Sequence, residues 1–481
     1  MIGCQYFSNK MKGLGIMKKV KIGFLPLYIK LYDDCGSGAI GRPRLEPFYE
    51  RLACELEARG FEVIRNEFCR IKPEFAAAVE KFEKAGADCI VTWHAAYSPS
   101  LESIDALAGT ELPIIVLDTT ETYDFSPAQK PSEISFCHGI HGVMDMCSLL
   151  RQRGKSYAVC AGHIEHSDVL DKVSGYVKAA CAARALAGSR AGSIGGSFDG
   201  MGDFLIDDET LLTRFGVSAV YPEPGELDAL RESLSDAEVE AEMKENNELF
   251  YEIEPVDAEA HAETVRNCLA IRKFIEKHSL DAFTINFRKI GGESGIRAMP
   301  FIEACKAMSR GTGYAGEGDI LTASLVGALL KSYEGATFAE IFCPDWKNGS
   351  LLISHMGEYN LALTKAKPGM KKIRFIYGEN TLDPVVAYGC YRAGKATFIN
   401  LYKSEEGYKL FISPIEMLDV PTDVFEEKVR GWFKPAAPLP EFLEKLSNAG
   451  ATHHSAIIYD ATVDQMKYFA SLLGLPAVVV E

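Results

Sequence analysis

The sequence predicts an α/β protein made of two successive α/β units and a β-rich final third. Three observations carry this. Apolar strand-like runs alternate with helical stretches from Lys21 onward, the rhythm restarts near His166, and from Lys372 short strand patterns follow one another with little helix between them. Strand–helix alternation implies right-handed crossovers and a parallel sheet. Strands in close succession imply an antiparallel sheet or barrel.

In the first unit, Lys21–Leu27 (KIGFLPL) reads as a buried strand and Pro47–Arg59 as a helix stopped by Gly60. Glu62–Ile64 begins a strand, Pro73–Ala85 is helical, and Cys89–Trp93, Leu112–Asp118 and Ser156–Gly162 are further strands. Parallel sheets place ligands beyond the carboxyl ends of their strands, where Trp93-His94 and Gly162-His163 fall. In the second unit, Ala191–Phe204 is glycine-rich but lacks GxGxxG in a strand–turn–helix frame, so it reads as turns and not as a dinucleotide site. Ser235 is an N-cap for an acidic helix over Asp236–Asn247. Ala258–His278 is a long amphipathic helix, Asp281–Phe287 a strand, and Pro300–Ser309 a helix followed by the turn GTGYAGEGD. In the last third, Lys372–Tyr377, Val385–Tyr391, Ala396–Tyr402 and Tyr408–Ser413 are short strands. Pro435–Leu446 links into a helix, and the chain runs through NAGATHHS and one more helix to a terminal strand, AVVVE. Met17 opens MKKVKIGFLPL and reads as a natural start, with residues 1–16 an extension.

A chain of 481 residues suits about two to four domains. Hydrophobic residues at 47% and charged residues at 25% supply a normal core. The net charge of -16 excludes a nucleic-acid partner, which requires a Lys and Arg surplus. The 13 cysteines are scattered singly without CxxC, so they read as reduced thiols of a cytoplasmic protein. No apolar run approaches the ~18 residues a membrane helix needs.

Ten histidines make each one informative. His453 and His454 stand together among Gly, Ala and Thr, and His355 ends the apolar run SLLISH. Glu317 is flanked by glycines in GYAGEGD, at the edge of a strand-to-helix turn where a carboxylate commonly caps. Glu340 lies among Phe338, Ala339, Ile341 and Phe342, so it must be paired, protonated, metal-bound or turned to solvent. No HExxH, paired CxxC or GxSxG occurs, so a metal site has to be assembled from distant segments. Two carboxylates and two histidines form a mixed O/N set suited to Mn²⁺ or Co²⁺.

Pro300–Leu330 (PFIEACKAMSRGTGYAGEGDILTASLVGALL) resembles the L-fucose/L-arabinose isomerase superfamily, and most of all the L-arabinose isomerase family. GATFAEIF, LLISHMGE, AGATHHS, VTWHAAYSPS, HGIHG and AVCAGH resemble further family segments in the same order. The resemblance implies two Rossmann-like α/β domains followed by a C-terminal antiparallel β-barrel domain, placed here at 17–165, 166–325 and 326–481. It implies an aldose–ketose isomerase acting on a small sugar through an enediol, without nucleic acid or membrane. It implies Mn²⁺, or another divalent ion such as Co²⁺, held by Glu317, Glu340, His355 and His454. Glu317 and Glu340 would double as catalytic acid and base, with His453, His141 and His94 on the substrate side. It also implies a homo-oligomer, trimer or hexamer, in which His141 reaches a neighbour's site. LPLYIKLYDDCGSG, HAAYSP and Arg297 depart from the family pattern, which puts L-arabinose itself in doubt. Arg288, Lys289 or Arg297 would suit an acidic or sulfonated sugar, or form surface ion pairs. Two other readings stand beside the isomerase: a non-catalytic sugar-binding or sensor protein, and a metal-dependent sugar epimerase or lyase.

Overall fold

The computed structural model describes residues 19–35, 38–291, 294–378 and 380–481. The reading of residues 1–16 as an extension lies outside them. The chain forms two compact units that divide between Cys181 and Ala182.

The first unit holds β1 (Lys21–Leu27), β2 (Glu62–Arg65), β3 (Cys89–His94), β4 (Ile114–Asp118) and β5 (Tyr157–Ala161). They form one parallel sheet in the order β2-β1-β3-β4-β5. All six residues of β3 are buried, as befits a strand covered on both faces. The helices Lys72–Lys84 and Gly139–Gln152 bring Phe75, Phe82, Met146 and Leu150 into one core with Ile90 and Ile114. Gly23 is required by that packing, since a Cβ there would stand 2.5 Å from the Phe82 ring.

The second unit begins with another parallel sheet. β6 (Arg190–Ile194), β7 (Ser218–Val220), β9 (Ala282–Ile285) and β10 (Gly313–Gly316) run in the order β10-β9-β6-β7. Three of these four strands went unread in the sequence, β7 among them. The start of the glycine-rich stretch, read as turns, is β6, and GYAG, read as a turn, is β10. Small residues carry little strand signal, yet all four residues of β10 are buried, which close helix packing demands. A Cβ on Gly313 would stand 2.2 Å from the Gly327 amide. The helix Asp236–Leu249 starts as expected, with Ser235 and Glu238 forming a reciprocal capping box.

β8 (Tyr251–Glu252), β13 (Gly369–Lys372) and β14 (Val385–Tyr388) form a small sheet in the order β14-β13-β8. The strand expected over Lys372–Tyr377 is displaced to β13, because beyond it the Phe375 N–H turns to the Asp383 side chain at 2.8 Å and leaves the ladder.

The final element is a barrel. β11 (Ala336–Asp345), β12 (Ser350–His355), β15 (Gly394–Ser404), β16 (Gly407–Met417), β17 (Val429–Pro435) and β18 (His454–Tyr459) pair antiparallel in the order β15-β18-β11-β12-β17-β16. β16 also pairs with β15, each strand 11 residues long, and this hairpin closes the ring. β19 (Ala477–Val479) adds to β16 in parallel. Closure leaves no free edge within the ring. β11 lies between β12 and β18, with Glu340 directly opposite His454.

Candidate metal centre

Glu317 stands in the turn between β10 and the helix Ile320–Leu330, with φ of 64°. A non-glycine residue there costs about 1–2 kcal/mol, so surrounding bonds must hold it. The Glu317 carbonyl accepts from the Phe198 N–H at 2.9 Å, and the Gly318 N–H donates to the Thr284 hydroxyl at 3.0 Å. Gly318 has φ of 85°, and a Cβ on it would stand 2.1 Å from the Gly196 carbonyl oxygen. The strained turn aims the Glu317 carboxylate at the barrel, where Glu340 and the histidines wait.

The centre is tight. Ligand atoms of Glu317, Glu340, His453 and His454 all lie within 4.8 Å of one another. His454 Nε2 is 3.4 Å from Glu317 Oε2 and 3.2 Å from Glu340 Oε1. His355 Nε2 is 2.8 Å from Glu340 Oε1, and His453 Nε2 is 3.5 Å from Glu317 Oε2. Glu317 Oε2, Glu340 Oε1 and His454 Nε2 are buried and have no hydrogen-bond partner. Three buried atoms, two anionic oxygens and an imidazole nitrogen, converge on one point with only one another and the neighbouring imidazoles for company. Buried polar groups are rarely left unpaired, so this set is consistent with a divalent metal ion.

Each histidine is oriented by an acid behind it. His454 Nδ1 is 2.9 Å from Asp319, His355 Nδ1 is 2.6 Å from Glu358, and His453 Nδ1 is 2.7 Å from Asp203. Such pairs fix ring orientation and leave Nε2 facing the centre. Asp319 also caps the helix Ile320–Leu330 by accepting from the Thr322 N–H. Glu358 is held in turn by the Tyr314 hydroxyl at 3.0 Å. Phe338 meets the rings of His355 and His454 nearly edge-on, and Phe204 stacks on His454 at 4.9 Å.

The electrostatics follow from this crowding. Burial pushes the Glu317 carboxyl up, but His453 and His454 outweigh it and hold the group at about 2. Burial also opposes ionisation of Glu340, and His355 and His454 overcome it, leaving its carboxyl far below the usual range. Burial disfavours charge on His355, yet Glu358 and Glu340 raise it to about 10. His454 is likewise penalised by burial, yet Asp319, Glu317 and Glu340 raise it well above the ordinary value. Without a cation, therefore, the imidazoles keep protons that balance the carboxylates.

Of the four residues expected as ligands from the sequence, Glu317, Glu340 and His454 belong to this group, whereas His355 stands beside it, with Nε2 against Glu340. His453, expected on the substrate side, is also within ligand reach of Glu317. Asp203, Asp319 and Glu358 were not found in the sequence. The spacing gave a partial signal: Asp319 lies two residues past Glu317, and Glu358 three past His355. His94 and His141 belong to the first unit. His94 ends β3, is buried with neither ring nitrogen hydrogen-bonded, and is held down at about 3 by burial. His141 is exposed and rests on the Tyr97 ring at 4.7 Å. In a second group, His163, Glu165 and His166, the first two already have partners. His163 Nδ1 accepts from the Glu165 N–H, its Nε2 meets the Glu121 carbonyl, and Glu165 pairs with Arg51.

The fold and the cluster together define a class: a parallel α/β sheet joined to a closed barrel, with a carboxylate–histidine centre at their junction inside the second unit. Comparison with known proteins agrees. A family model described as the L-arabinose isomerase central domain matches residues 209–334, and one described as the L-arabinose isomerase C-terminal domain matches residues 335–476. L-arabinose isomerase of Shouchella clausii is 25% identical over 84% of this chain and 84% of its own length. That of Aeromonas salmonicida is 23% identical over 82% and 80%, and L-arabinose isomerase 1 of Bacillus licheniformis 26% over 83% and 82%. The chain belongs to the arabinose isomerase-like family. Among the described residues, no helix is long and apolar enough to cross a membrane, and the described cysteines are free.

Proposed function

We propose that the protein is a metal-dependent aldose–ketose isomerase working through an enediol. The observation that carries this reading is the convergence of Glu317 Oε2, Glu340 Oε1 and His454 Nε2 as buried atoms without hydrogen-bond partners. Glu317, Glu340, His454 and either His355 or His453 would hold the ion. When bound, the ion supplies electrostatic stabilisation to negative charge developing on adjacent sugar oxygens. The remaining work falls to the chain. Ketol isomerisation removes a proton from one carbon and returns it to its neighbour. Glu317 and Glu340 are ionised at neutral pH and so are ready to accept that proton. Asp319, Glu358 and Asp203 keep the imidazoles from rotating away. Phe204 and Phe338 give the centre apolar walls. His453, His94 and His141 are proposed substrate-side residues, and the protein is proposed to be a cytoplasmic homo-oligomer.

The test is a panel of pentoses, 6-deoxyhexoses and hexoses incubated with metal-stripped protein, with and without Mn²⁺, beside Glu317→Gln. Ketose formation that needs Mn²⁺ and disappears in the variant is the expected result. Metal binding without interconversion of any aldose and ketose would defeat the reading, and product analysis would then identify an epimerase or lyase. Absence of metal binding would remove its foundation.

A further inference from the structure

A cavity of about 430 Å³ in the second unit is lined by Phe198, Arg288, Lys289 and Tyr377, among others. It is large enough for a monosaccharide. One loop serves both this cavity and the metal centre. Phe198 lines the cavity through its side chain while its N–H bonds the Glu317 carbonyl. Asp199 pairs with Lys289 at 3.0 Å, Asp203 holds His453, and Phe204 stacks on His454. The loop that bounds the cavity therefore also bonds the backbone of Glu317, one of the proposed proton carriers.

The two cations of the cavity, both exposed, differ in their partners among the described residues. Lys289 is neutralised by Asp199. Arg288 has no ion-pair or side-chain hydrogen-bond partner among the described residues, and its backbone N–H is fixed by the Asn286 side chain at 3.1 Å. Asn286 is fully buried and donates to the Ser197 carbonyl at 2.9 Å, so the base of Arg288 is tied to the shared loop. Arg297 does not line this cavity. The rings of Phe198, Phe287 and Tyr377 adjoin in series, at 5.3 and 5.8 Å between centroids. They offer apolar faces of the kind sugar rings lie against. An exposed guanidinium without a protein partner among the described residues, beside aromatic rings in a sugar-sized cavity, matches an oxyanion far better than a hydroxyl.

We propose that the sugar taken by this site carries an anionic group, a carboxylate, phosphate or sulfonate, remote from C1 and C2 and bound by Arg288. This rests on the isomerase reading above and narrows it. The reaction stays a redox-neutral shift of a proton between C1 and C2, and the anionic group takes no part in bond making.

The test compares the unaltered protein with Arg288→Gln and Arg288→Lys. The probes are L-arabinose and L-fucose as neutral sugars, and D-glucuronate, a hexose 6-phosphate and a 6-deoxy-6-sulfonated hexose as anionic ones. One anionic sugar should have the highest kcat/KM. The anionic-to-neutral ratio of kcat/KM should fall by about 10- to 100-fold in Arg288→Gln, the range for losing a hydrogen-bonded charge. The loss should fall mainly on KM, with part of it recovered in Arg288→Lys. An unchanged ratio, or turnover of neutral sugars alone, overturns the proposal and leaves the isomerase reading intact. If no sugar is turned over, the isomerase reading fails, and calorimetric binding of the same five sugars decides the anion site. Binding of an anionic sugar that Arg288→Gln abolishes upholds it, and absent or unaffected binding overturns it.

Discussion

Asp319 serves two donors at once, and replacement by asparagine separates them. One carboxylate oxygen accepts from the Thr322 N–H at 2.9 Å and the other lies 2.9 Å from His454 Nδ1, with the side chain fully buried. Asparagine has the same shape but one acceptor, so in Asp319→Asn either the helix cap or the imidazole faces an NH₂ group. A lost hydrogen bond to a charged group is worth about 1.5–3 kcal/mol. The metal-free variant should therefore unfold about 2 kcal/mol more easily. Partners behind a metal-binding histidine contribute about 10- to 100-fold to affinity, which is about 1.4–2.7 kcal/mol. Mn²⁺ affinity should fall by that amount. Asp319→Ala loses both bonds and leaves a buried charged imidazole with one acid fewer, at about 3–5 kcal/mol. Urea unfolding of metal-free protein and calorimetric Mn²⁺ titration read the two effects separately, and both should rank the native residue above Asn and Asn above Ala. An asparagine variant that binds Mn²⁺ as tightly as the unaltered protein refutes the role assigned to Asp319.

Two further expectations concern the same centre. His355 is raised to about 10 and His454 well above its ordinary value, so metal uptake near neutral pH must expel protons, and affinity should climb with pH. Calorimetry in buffers of different ionisation enthalpy counts the protons released. Because the folded value of His355 is raised, its stabilising contribution in the metal-free protein is complete below about pH 6.5. It declines as pH rises toward about 10. Denaturation midpoints of metal-free protein over that window should show the decline, and a rise there would contradict the assignment. Gly318→Ala puts a Cβ 2.1 Å from the Gly196 carbonyl at φ of 85°. It should displace Glu317 and cost more than about 1 kcal/mol. Unfolding free energy and kcat should fall together, and a stable but inactive variant is not expected.

The proposed ligands stand out in the sequence because each sits in a setting that needs a reason: an acid among aromatic and aliphatic neighbours at Glu340, an acid between glycines at Glu317, a histidine closing an apolar strand at His355. Their orienting partners lacked that contrast. Asp319 reads as an ordinary N-cap, which it also is, and Asp203 lies 250 residues from His453, so only folding joins them. The parallel sheets were visible where strands are built from Ile, Val and Phe, as in β3 and β4. They were invisible at β10, where GYAG forms a strand because Gly313 lets a helix approach. Short strands were expected where β15 and β16 are 11 residues each. The gap between Tyr402 and Tyr408 does hold the turn, but continuation past Ser413 depends on partners in β17 and β15 that no local pattern announces.

The closed barrel has a consequence for how such a protein changes its diet. Slipping β11 against β18 by one residue would send Glu340 to the opposite face, and a ring with no free edge has nowhere to absorb the slip. The exposed side chains that line the neighbouring cavity, such as Arg288 and Lys289, carry no such obligation. Substitutions there can redraw the outline of the guest while the chemistry beneath it is left alone.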